Sequence, residues 1–131
     1  MPLNATLVGK TYPAQAFPLD AARVAAFAAA VGHDRADVPP TFVTVAEFAT
    51  LDAVIGDPDL GLDYARVVHG DQEYEWVRAP RIGEVLSAET TIDDIRAKGP
   101  LEMLTIRTEL RDEDARLVVV SRNTLIVRGN A

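Results

Sequence analysis

The chain has 131 residues, 48% hydrophobic and 25% charged, which fits one soluble globular domain over 1–131 that buries roughly two-thirds of its unfolded surface without a staple. With no cysteine and only two histidines it offers no disulfide and no zinc set, and its carboxylates lack metal-loop spacing, so no metal and no other cofactor is expected. A net charge of −7 opposes nucleic-acid and anionic-membrane binding, no run reaches the ~18 apolar residues of a membrane span, and MPLNATLVGKTYPAQ does not read as a secretory signal, so a cytoplasmic protein is expected.

In chain order, the first predicted element is a helix over 20–31. Asp20 stands as N-cap and Gly32 where a C′ glycine belongs, while Val24, Phe27, Ala28 and Val31 repeat at i, i+3, i+4 and i+7 as one apolar stripe. The loop HDRADVPPTF follows, with Pro39 and Pro40 fixing an extended backbone. A second helix is predicted over 44–55, opened by a capping box of Thr44 and Glu47 and stopped at Gly56 before Asp57-Pro58. Its residues Val45, Ala46, Phe48, Ala49, Leu51, Ala53, Val54 and Ile55 are apolar on nearly every side, which predicts a helix surrounded by protein.

From Arg66 the period changes to two. Strands are predicted over 66–78, 84–96, 101–111 and 116–128, with turns at Lys98-Gly99-Pro100 and over 112–115. In the third, Leu104, Ile106, Thr108 and Leu110 share a face opposite Leu101, Met103, Thr105, Arg107 and Glu109. Helices followed by antiparallel strands define an α+β fold, with the sheet wrapped around the central helix. Each outer strand is an unpaired edge, and pairing edge to edge with a second copy would close it into a dimer with one continuous sheet. Tyr74, Trp76, Phe42 and Phe48 read as core, and Asp57, Asp59 and Asp63 as a solvated loop that could alternatively cap a tunnel.

VGKTYPAQAF, FAAAVGHD, PPTF, VVHGDQEYEWVRAPRIGEVL and a closing VRG occur in that order. As an ordered set they resemble the MaoC-like dehydratases, specifically the N-terminal domain type of fatty-acid-synthase-like dehydratases and the small subunits of mycobacterial 3-hydroxyacyl-ACP dehydratases. The resemblance implies a hot-dog fold, a homodimer or a heterodimer with another hot-dog subunit, and an acyl thioester substrate carried on CoA or acyl carrier protein. It also implies reversible loss of water from a (3R)-3-hydroxyacyl thioester to give the trans-2-enoyl thioester. That chemistry needs a base near C2, an acid near the C3 hydroxyl and donors for the thioester oxygen.

The family's catalytic motif runs Gly-Asp, any residue, Asn-Pro, an aliphatic residue, then His. Here Gly32 is followed by His33, with Asp34 one place later, and the positions five further on are Val38 and Pro39. Either His33 and Asp34 form an altered catalytic site in a self-sufficient homodimer, or a partner hot-dog chain supplies the Asp and His while this chain shapes the acyl tunnel. The bland reading of His33 and Asp34 is a pair of loop residues at a helix end. By the same resemblance Pro40, Thr41 and Phe42, together with His69, Gly70 and Gln72 of the HGDQ stretch, line the substrate channel; on the bland reading His69 is a bonded strand histidine beside a Gly70 bulge. A further alternative of another class is a non-enzymatic ligand-binding module on a cone-shaped α+β fold.

Overall fold

A computed structural model describes residues 2–129. The chain forms β1 (Gln15–Pro18), α1 (Ala21–Val31), α2 (Thr44–Ile55), β2 (Val67–Trp76), β3 (Val85–Lys98), β4 (Leu101–Arg111) and β5 (Leu117–Arg128). All pairings in its single five-stranded sheet are antiparallel, in the order β1-β3-β4-β5-β2. The two predicted helices and four predicted strands are present. The strand β1 was not predicted; four residues ending in proline give almost no period-two signal, and proline is tolerated only at such an edge.

Local chemistry explains most boundaries. Asp20 caps α1 by accepting from the Arg23 N–H, and Gly32, at φ 75°, lets the His33 N–H reach back 2.8 Å to the Ala28 carbonyl. The stripe of α1 is narrower than predicted: Val24 is buried and Phe27 half-buried, but Val31 is exposed.

The start of α2 corrects the capping-box prediction. Val43 occupies the N-cap position without a side-chain bond, because the preceding turn Pro40–Val43 already leads the backbone into the helix. Thr44 and Glu47 are turned to other partners, described below.

The helix α2 lies across the concave face of the sheet and divides the core. On one side Phe17, Leu19, Val24, Phe42, Val43 and Ala46 pack with Leu86, Leu110 and Val119; on the other Leu51, Val54 and Leu60 pack with Ile92, Leu104, Ile106, Leu125 and Val127. The predicted face of β4, Leu104, Ile106, Thr108 and Leu110, is the buried one. Enclosure of α2 is incomplete within one chain. Ala46, Glu47, Thr50, Leu51 and Val54 are buried, whereas Phe48 is 61% exposed, beside exposed Ala49 and Asp52. Helical spacing places these three on one side of α2.

Two further expectations change. Trp76 is 40% exposed and Tyr74 only partly buried, their rings 5.8 Å apart at the sheet edge. Asp57 is buried rather than solvated. It accepts from Lys10 Nζ at 2.6 Å, the Tyr12 hydroxyl at 2.7 Å and the Asp59 N–H at 2.9 Å, tying the N-terminal segment to the end of α2.

Candidate functional site

A polar stripe crosses the apolar concave face. Register aligns Thr90 of β3 with Thr108 of β4, Thr108 with Ser121 of β5, and Ser121 with Tyr74 of β2. The Thr90 and Thr108 hydroxyls bond at 2.9 Å, and Thr44 of α2 bonds the Tyr74 hydroxyl. Polar residues placed opposite one another on adjacent strands satisfy each other, which is how the stripe is tolerated in the core.

Glu47, only 5% exposed, projects from α2 onto this stripe. Its Oε1 accepts from Ser121 Oγ at 2.6 Å and from Gln72 Nε2 at 2.9 Å, and Gln72 Nε2 lies 2.7 Å from Ser121 Oγ. Burial raises the carboxyl above its ordinary range; the bonds from Ser121 and Gln72 and the nearby His69 oppose that rise without cancelling it. The other end of the Gln72 amide accepts from His69 Nε2 at 3.1 Å. An amide oxygen can only accept, so His69 donates this bond from its Nε2–H.

His69 and Gln72 are three residues apart, so an unbroken strand would send them to opposite faces. The ladder with β5 shifts register between His69 and Asp71, and this bulge brings both onto the face shared with Leu125 and Asn123. Gly70 sits at the bulge; a Cβ there would stand 2.7 Å from Ile126 Cδ1 and 3.3 Å from the Thr124 carbonyl. The bulge read for Gly70 is present, and the glycine lets the strand pass close to Ile126.

His69 and Gln72 line a pocket of about 200 Å³ between α2 and the β5–β2 edge. Leu51, Val67, Leu125 and the exposed Phe48 make its walls mostly apolar, and Thr44 and Asn123 add polar groups. Glu47 and Asn123 are site residues that sequence reasoning missed. Only their register and helical phase, which pattern alone does not fix, put them here.

The loop candidates lie elsewhere. His33 Nε2 is 2.8 Å from Asp37 Oδ1, and this bond to His33 holds the Asp37 carboxyl below its usual range. Asp34 is exposed, and among the described residues no hydrogen bond joins it to His33, so the expected His33–Asp34 pair is replaced by His33–Asp37. Pro40 lines a separate cleft of about 280 Å³ with Asp37, Val38 and Trp76, and Thr41 is exposed. Phe42, expected along the channel, is fully buried against Phe17 and Phe27, with ring centroids 5.5 and 5.3 Å away. It is a core residue, as its aromatic character also suggested.

An antiparallel sheet curled over one central helix, with a polar-ended pocket beside that helix, defines a hot-dog domain of the MaoC-like dehydratase class. The sequence matches the family described as FAS1-like, dehydratase domain region, over residues 12–121. The chain belongs to that family. It is 37% identical to UPF0336 protein SCO4636 of Streptomyces coelicolor, across 98% of this chain and 97% of that one. Among solved structures, it is similar to the C-terminally truncated HadBC (3R-hydroxyacyl-ACP dehydratase) complex of Mycobacterium tuberculosis, with TM-score 0.76 and 24% identity over 92% of this chain and 96% of that one. It is also similar to the (R)-hydratase of A. caviae involved in PHA biosynthesis, with TM-score 0.62 and 17% identity over 90% and 94% of the two chains. The fold removes the cone-shaped alternative.

Proposed function

We propose that the chain is a subunit of a (3R)-3-hydroxyacyl thioester dehydratase, working in the cytoplasm on substrates carried by CoA or acyl carrier protein. In this reading the pocket beside α2 holds the acyl thioester, and a second hot-dog chain supplies the catalytic Asp and His. The observation that carries it is the separation of the two candidate regions. The pocket with His69 and Gln72 is apolar with a polar end, as an acyl thioester requires, while the 33–40 loop holds neither the Asn-Pro nor the following His of the family motif. The exposed Phe48 face of α2 and the free edge of β2 supply a surface for the second chain.

Hydration of crotonyl-CoA, followed by loss of enoyl absorbance, tests this. The chain alone is expected to be inactive or nearly so, and to support turnover when co-purified with its hot-dog partner. Full turnover by the chain alone would overturn the partner reading.

One observation favours a second reading, a self-sufficient homodimer. His33 and Asp37 form an imidazole–carboxylate pair at the place where the family carries its acid–base residues, in reversed order along the chain. On that reading Asp37 takes the role first expected of Asp34, and His33→Ala abolishes turnover by the chain alone.

A further inference from the structure

Nearly every buried polar side chain of the stripe has found a partner. Asn123 Oδ1 is the buried side-chain oxygen or nitrogen that lacks one among the described residues. Asn123 is 8% exposed and lines the pocket beside α2. An unpaired buried acceptor costs about 1–3 kcal/mol, and an aliphatic residue would avoid that cost. Ile106, its register partner on β4, is such a residue in the same layer. The partner on the other side is Gln72, but that amide is already committed, its oxygen to His69 and its N–H groups to Glu47 and Ser121. The Thr44 hydroxyl is likewise committed to Tyr74. Asn123 lines the apolar pocket, and its buried side-chain oxygen has nothing to accept from.

We propose that Asn123 is a specificity-determining residue whose side-chain oxygen accepts a hydrogen bond from a donor on the bound thioester, either the acyl 3-hydroxyl or an amide N–H of the pantetheine arm. This rests on the pocket being the acyl-thioester site. A site with a buried acceptor discriminates against the ligand that lacks the donor, because that ligand leaves the acceptor both desolvated and unpaired.

Isothermal titration of the purified full chain with 3-hydroxybutyryl-CoA, butyryl-CoA, crotonyl-CoA and CoA alone tests the assignment. The wild type is expected to bind 3-hydroxybutyryl-CoA about ten-fold more tightly than butyryl-CoA or crotonyl-CoA. Asn123→Leu should lose that preference while binding butyryl-CoA no worse, and should melt no lower than the wild type, since no internal bond is removed. Asn123→Ala, which also lacks the acceptor and adds no bulk, should lose the preference in the same way and covers the case in which Asn123→Leu fails to fold. If all three acyl forms and CoA alone bind alike, and Asn123→Leu weakens them equally, the acceptor role stands and the donor is the arm's amide. If the acyl forms bind but Asn123→Leu alters neither preference nor affinity, the assignment is overturned and the pocket reading survives. If none of the four ligands binds, both fall.

Discussion

Replacing Glu47 by alanine probes the joint between α2 and the sheet. The substitution strands the Ser121 hydroxyl and an N–H of Gln72, which now donate to Glu47 at 2.6 and 2.9 Å. Each stranded donor costs about 1–3 kcal/mol, while release of a buried carboxyl returns part of it, so a net loss of about 2–3 kcal/mol is expected. The vacated space adds a cavity cost, and a double-mutant cycle removes it. In a Gln72→Leu, Ser121→Ala background there is no donor to strand and the carboxyl itself is unpaired. There Glu47→Ala should be neutral or stabilising, giving a coupling of at least ~2 kcal/mol. Urea unfolding followed by circular dichroism measures all four corners. The pH dependence has a definite sign. The folded carboxyl titrates above its ordinary 4.5, so its contribution is full below that value and declines as pH rises through the elevated one. The cost of Glu47→Ala should therefore be largest near pH 4.5 and shrink toward alkaline pH. An equal cost of Glu47→Ala in both backgrounds would refute the network as the joint between helix and sheet.

Other perturbations report on separate parts of the fold. Asp57 is held at about 2, below its ordinary 3.8, first by the bond from Lys10 and then by that from Tyr12. The stability it adds is complete above 3.8 and is lost as pH falls toward 2, so the gap between wild type and Asp57→Asn in urea should close across that window. Phe42→Ala should cost about 3–5 kcal/mol by leaving a cavity against Phe17 and Phe27, read as a fall in urea midpoint. Gly70→Val should displace Ile126 or the bulge, costing about 1–3 kcal/mol by the same measurement and weakening thioester binding more than Gly70→Ala does. Phe48→Asp should leave the monomer's stability within about 0.5 kcal/mol while abolishing association with a hot-dog partner in sedimentation.

The parts of the fold legible in the sequence are those with strong local signals. Asp20 and Gly32 bracket α1 because a cap and a left-handed glycine act within one turn of chain. The β4 alternation names its buried face because pleating leaves no other choice. Thr44 and Glu47 misled for the opposite reason. Their spacing satisfies a local rule, but a buried hydroxyl on Ser121, 74 residues further along the chain, makes a better partner for the carboxylate. Phe48 likewise reads as core by type, and its exposure follows from a helical phase that one chain does not cover. Of the candidate site, His69 and Gln72 were named from resemblance, while their meeting depends on a bulge that only Gly70 hinted at. Asn123 carried no signal at all, since an asparagine in a strand shows its missing partner only when its neighbours are in place.

Amide NMR spectra of the chain titrated with butyryl-CoA test most directly whether thioesters bind in the pocket beside α2. The account predicts shifts confined to Thr44–Leu51, Val67–Gln72 and Asn123–Leu125, with the amides of His33–Thr41 unmoved. Shifts centred on His33–Thr41, with the pocket residues silent, would contradict it.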